Sequence, residues 1–186
     1  HHDEQRGNHK LTWREYHKAT EHSVDSLRAA HTSLDWANMP DPFRHYDGVP
    51  VLDLPNDVVT SDVAVLDVLQ GKAGHNKTQN GAGFLSQLLF HSAAISAAKR
   101  VPSTGQKYAL RVNPSSGNLH PTEFHFITRH LKDWPDGLYH YRSSSHMAEQ
   151  RAVGDFGDKL GGISAPVVLL LTSIAWREAW KYHTRA

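Results

Sequence analysis

The chain has 186 residues, 39% of them hydrophobic and 21% charged, which is the composition of a folded globular domain rather than a disordered one. Lys plus Arg total 20 against 19 Asp plus Glu, a net charge of +1 with no basic run, so nucleic acid is not an expected partner. With no cysteine, a disulfide framework, a thiol nucleophile and a thiolate zinc site are excluded, and no apolar run reaches the roughly 18 residues of a membrane span.

Leu11 to His31 reads as a helix, with Trp13, Tyr16, Thr20, Val24 and Leu27 at three- and four-residue spacing and Thr12 and Glu15 placed as a capping box. A Pro-rich irregular stretch follows from Asn38 to Pro55. Residues 61–70 hold a short helix through Val65, Leu66 and Leu69, and Gly71 to Gly83 is a polar loop. The chain therefore divides into a leader over residues 1–70 and a second unit over 71–186. A stronger helix is expected from Gly83 to Ala98, with Phe84, Leu85, Leu88, Leu89, Ala93 and Ile95 on one wide apolar face.

Three strands are then expected, Phe124–Thr128, Gly137–Tyr141 and Val167–Ser173, the last apolar enough to be buried on both faces. Trp134-Pro-Asp-Gly137 has the chemistry of the turn between the first two. Ala175 to Ala186 begins a helix with no glycine cap and no following strand, so the chain reads as interrupted within its fold. The element order gives an α+β fold, an antiparallel sheet with helices packed on it.

Between the second helix and the strands lies Arg111-Val-Asn-Pro-Ser-Ser-Gly-Asn-Leu-His-Pro-Thr-Glu-Phe124. Pro114 fixes its own φ and extends Asn113, while Gly117 permits a positive φ. The hydroxyls and amides of Ser115, Ser116, Gly117 and Asn118 can then converge on a phosphate or on the polar edge of a heterocycle. An ordinary Ser/Gly/Asn turn would read the same way by composition.

Three words in this order, the Pro-Ser-Ser-Gly-Asn loop with His120-Pro-Thr-Glu123, Gly137-Leu-Tyr-His-Tyr141 and Trp176-Arg-Glu-Ala-Trp-Lys-Tyr182, resemble the SagB-type dehydrogenases, a branch of the FMN-dependent nitroreductase superfamily. Tyr16-His-Lys-Ala-Thr-Glu-His-Ser-Val-Asp-Ser-Leu27, Leu34-Asp-Trp36 and Pro42-Phe-Arg44 are similar to that branch's leader. The resemblance implies a nitroreductase-like fold, of which 71–186 is the N-terminal half of an FMN domain, incomplete at its C-terminus. It implies FMN as cofactor, lined by Pro114, Ser115, Ser116, Gly117 and Asn118, with Arg111 toward the phosphate. Lys181 and Tyr182 stand where azoline oxidases of this branch carry a Lys-Tyr pair that removes a proton while hydride goes to flavin. Small-molecule or peptide substrates and a homodimer or pseudo-dimer follow, while a cytoplasmic location is the default expectation for a sequence showing no signal peptide and no membrane-length apolar run.

One departure supports a rival. Where nitroreductases carry an arginine cluster gripping the phosphate, this chain has Gly74-His-Asn-Lys-Thr-Gln-Asn80, in which His75 or Lys77 is a point charge without a guanidinium fork. The rival is a non-catalytic half of a tandem pseudo-dimer, acting in dimerisation or peptide docking. Arg177 and Arg185 are either anion-binding or surface residues. On an ordinary amphipathic helix, Trp176 and Trp180 would point inward and Arg177 and Lys181 would be solvated. The 15 histidines show no ligand spacing, and no metal site is expected.

Overall fold

The computed structural model describes residues 11–29, 33–58, 60–72 and 80–185. Helix α1, Trp13–Thr20, starts as expected: Thr12 Oγ1 accepts from the Glu15 amide, and the Glu15 carboxylate accepts from the Thr12 amide at 2.7 Å. The expected single helix nevertheless breaks at Glu21, whose ψ of 135° is extended, and α2, Val24–Ala29, begins anew. Ser23 and Ser26 cap it reciprocally, each side chain accepting from the other's amide at 2.9 and 3.0 Å. Serine competes with the helix backbone in this way, which is why the apolar periodicity did not carry through.

The Pro-rich stretch yields a short strand, β1 (Val51–Asp53), before α3 (Val65–Leu69) and α4 (Gly81–Ala93). Helix α4 ends earlier than its sequence implies. Ile95 to Arg100 instead forms β2, an antiparallel hairpin with β3, Lys107–Arg111. Pairing across the hairpin overrides the helix preference of Ala97, Ala98 and Lys99.

The main sheet has the order β1-β6-β5-β4-β7 and is antiparallel throughout, with β4 at Thr122–Thr128, β5 at Gly137–Arg142, β6 at Met147–Val153 and β7 at Val167–Ser173. Its strands alternate in character. On one face Phe126, Tyr139, Tyr141 and Ala148 pack with Leu85, Leu89 and Ala93 of α4, and with Leu54 and Trp134, to make the hydrophobic core. On the other face the register aligns His125 with His140 and His140 with Glu149. Tyr46 from the Pro-rich segment covers them, its ring centroid 5.2 Å from that of His140.

Strand β7 is not buried on both faces. It lies at the end of the sheet, and Leu171 is 63% exposed. Helix α5, Ala175–Tyr182, follows it and gives way to a 3-10 turn over His183–Arg185. No helix among the described residues is long and apolar enough to cross a membrane.

Phe126→Ala, at a fully buried position, should lower unfolding free energy by about 3–5 kcal/mol, whereas Leu171→Ala should change it by less than about 0.5 kcal/mol. Phe126 and Leu171 share a face of the sheet, so urea titration of both variants checks that its packing ends at the border strand β7.

Candidate functional site

Two of the three sequence words singled out above, the Ser/Gly loop and the end of α5, meet in space. The loop after β3 makes a 3-10 turn over Ser116–Asn118, with Gly117 at φ +58°, Asn118 at +58° and His120 at +48°. Left-handed conformations of this kind in non-glycine residues need support. Ser115 Oγ supplies it by accepting from the His120 amide at 2.8 Å, and Asn118 Nδ2 donates to the Ala109 carbonyl at 2.9 Å.

Helix α5 comes down on this turn. Ser116 Oγ donates to the Tyr182 phenol oxygen at 2.7 Å. A Cβ built on Gly117 would stand 2.8 Å from Lys181 Nζ and 2.9 Å from Tyr182 Oη. Glycine is favoured here by its positive φ, and an added Cβ would push aside the ends of both side chains.

Beside the turn is a cleft of about 190 Å³ lined by Asn113, Pro114, Ser115, Ser116, His120, Pro121, Thr122 and Glu178. Burial raises the Glu178 carboxyl pKa. The bond from Asn118 Nδ2 to Ala109 orients the amide, so its Oδ1 faces His120 Nε2 at 2.8 Å and that nitrogen carries the proton. His120 Nδ1 is then a lone-pair acceptor, and both it and Asn113 Oδ1 are buried without a partner. Burial, together with the charges of Arg111 and Arg177, pushes His120 down to about 4, so it is neutral at physiological pH.

Arg111 is not solvated, and it does not line the cleft. It is buried, donates to the Pro42 carbonyl and stacks its guanidinium 4.7 Å from the Phe43 ring, with Nε unpaired. Arg177 is also no surface residue: at 3% exposure it pairs with the Glu123 carboxylate and donates to the carbonyls of His120 and Asp41. The amphipathic prediction for α5 is thus half wrong, since Trp180 is buried but Trp176 is 58% exposed. Arg185 reaches Ser26 Oγ at 3.3 Å. His75 and Lys77 lie outside the described residues.

Sequence reasoning did not assign His120, Glu123 or Glu178. The first two belong to the same word as the loop, and Glu178 lies three residues before Lys181, one helical turn away. Another sheet-face histidine, His125, is held at about 4 by burial and by the neighbouring His140.

A cluster of His130, Asp136 and Asp155 brings three potential ligand atoms within 4.8 Å, but two of the three residues are exposed and Asp155 is already paired with Arg129 at 2.8 Å.

The five-stranded antiparallel sheet with α4 on its apolar face and the Ser/Gly turn under α5 is a nitroreductase-like α+β fold. The chain superposes on a crystal structure of a provisionally assigned nitroreductase from Anabaena variabilis with a TM-score of 0.71 and 25% identity, over 92% of this chain. It spans only about a third of that protein's length, 34%. A second provisionally assigned nitroreductase, from Ralstonia eutropha, matches over 73% of this chain and 65% of its own at 18% identity, and its TM-score of 0.44 is too low to add to the argument. No protein-family model and no curated protein matches the chain.

Two outcomes test this geometry. Gly117→Ala and Gly48→Ala both place a side chain at positive φ, which costs about 1–2 kcal/mol, but only the first meets Lys181 and Tyr182. Thermal unfolding should show the larger loss for Gly117→Ala. The second outcome concerns pH. His120 and His125 bind protons in the unfolded chain near pH 6.5 but in the native fold only near 4. Between those values the unfolded state holds more protons, so stability falls as pH drops from about 6.5 to about 4. The lowered Glu123 carboxyl extends the loss to still lower pH. Melting temperatures across this range should fall less steeply for His125→Gln than for the parent chain.

Proposed function

We propose that the chain is part of an FMN-dependent oxidoreductase of the SagB-type branch of the nitroreductases, exchanging hydride between flavin and an organic substrate such as a peptide azoline. The observation that carries this reading is the contact of Lys181 and Tyr182 with the Ser116–Gly117 turn, with Ser116 donating to Tyr182 at 2.7 Å. Residues 66 apart in sequence supply a hydroxyl pair and an amino group behind Ser116, which lines a small cleft that Lys181 and Tyr182 do not themselves line.

The residues present fit one edge of such a cofactor. Asn113 Oδ1 and His120 Nδ1 are unpartnered acceptors suited to an N–H or hydroxyl, and Ser115 and Ser116 are adaptable partners for the remaining polar atoms. A bound flavin would supply the hydride-accepting chemistry. The chain's own groups act around it: the Tyr182 oxygen accepts from Ser116 and keeps its own phenol proton to donate, and the Lys181 amine takes up or returns the substrate proton beside it. A neutral His120 keeps its acceptor lone pair available through the physiological range.

A second reading is favoured by one observation: none of the residues lining the cleft is a lysine or arginine that would hold a phosphate. On that reading this unit is a docking or dimerising half whose partner segment binds the cofactor.

Purified chain mixed with FMN and freed of excess should keep the flavin's visible bands under the first reading and be colourless under the second. In a turnover assay, Lys181→Ala and Tyr182→Phe should each lower kcat by roughly 10²–10⁴, the range of general acid–base contributions. Unchanged turnover in both variants would remove them from the chemistry.

A further inference from the structure

Helix α5 carries Lys181 and Tyr182, and its place against the turn is set from inside. Arg177 lies one helical turn before Lys181. Its buried guanidinium reaches three separate segments: the Glu123 carboxylate on β4, the His120 carbonyl at 2.6 Å where the Ser/Gly loop ends, and the Asp41 carbonyl at 2.9 Å in the Pro-rich leader. The neighbouring Trp180 adds a second tie to the leader, donating its indole N–H to the Asp35 carbonyl at 2.7 Å and packing edge-on against Trp36.

Building on the catalytic reading of Lys181 and Tyr182, we propose that Arg177 is the positioning residue of the site, locking the axial and rotational setting of α5 against the turn, and that the leader segment Asp35–Pro42 is a working part of that lock. A shift of one residue along α5 would move Lys181 by about 1.5 Å and turn it by about 100°. That is enough to take Nζ and the phenol off Gly117. The fork geometry matters because one head group must address three acceptors in different directions. A lysine ammonium, with a single nitrogen on a flexible stem, cannot hold all three. The role differs from binding a substrate anion: Arg177 is 3% exposed and its contacts are all internal.

The test is residue-level acylation of lysines by an amine-reactive reagent, read by mass spectrometry on the full chain without flavin, so that it stands apart from whether FMN binds. Lys107 and Lys132 are exposed internal references, whereas Lys181 is half-buried against the turn. In Arg177→Gln, Lys181 should react about tenfold faster as the end of α5 opens locally, with both references unchanged. Arg177→Lys, which keeps a charge beside Glu123 and hence the fold, should give the same direction. Equal speeding of all three lysines would mean a general loosening and would also overturn the proposal. If Arg177→Gln loses its cooperative transition, Arg177→Lys decides alone. Lys181 reactivity equal to the parent's in a cooperatively folded variant of either kind overturns the proposal.

Discussion

A row of ionisable side chains crosses the interior of this protein, and much of the architecture is arranged to satisfy it. Glu123 on β4, His140 on β5 and Glu149 on β6 stand side by side, with His140 bonded to a carboxylate at 2.8 Å on each side, and Arg177 closes one end on Glu123. All four are nearly sealed from solvent. Taking such groups out of water is expensive, and stripping one partner from a buried pair typically costs about 3–5 kcal/mol. The row therefore tolerates only an arrangement in which every member is met. An apolar replacement could hold the sheet together equally well, but it would not tell the leader and α5 where to sit. Here the Tyr46 amide bonds to Glu149 and Arg177 draws α5 onto Glu123, so both are placed by charge rather than by shape.

Besides Tyr46, the leader meets Arg177 of this row and several other buried polar groups through backbone carbonyls. Pro42, Pro50 and Pro55 accept from Arg111, from the Gln150 amide and from Ser86, while Asp35 and Asp41 accept from Trp180 and Arg177. Proline suits such a strap, since it offers an acceptor without bringing a donor that must itself be satisfied.

That same feature explains what could and could not be read from the residues. The capping box at Thr12, the apolar strand Val167–Ser173 and the Ser/Gly turn were legible because each is specified by local chemistry. The strap was not, because any residue has a carbonyl. Strand β6, Met-Ala-Glu-Gln-Arg-Ala-Val, lacks the run of branched and aromatic side chains that marks a strand and is one only through its neighbours. Burial of Arg177 depends on a carboxylate 54 residues away, beyond the reach of helical periodicity. In the site, the turn residues and the Lys181-Tyr182 pair were each singled out by resemblance, but nothing in the sequence placed one against the other, and the tautomer of His120 needed the Asn118–Ala109 bond to be seen.

The two borders of the main sheet are unequal. Strand β1 offers three residues, while β7 offers seven and carries exposed leucines. A row of free backbone donors and acceptors invites another strand, and its pull grows with its length. A sheet with two long borders can add neighbours from both sides and grow without limit. One that is long on a single side closes on itself once two copies have met, because their shared symmetry uses up the only border able to continue. Among the described residues the longer border of this sheet is β7, so a strand added there would find seven residues to pair with, against three at β1.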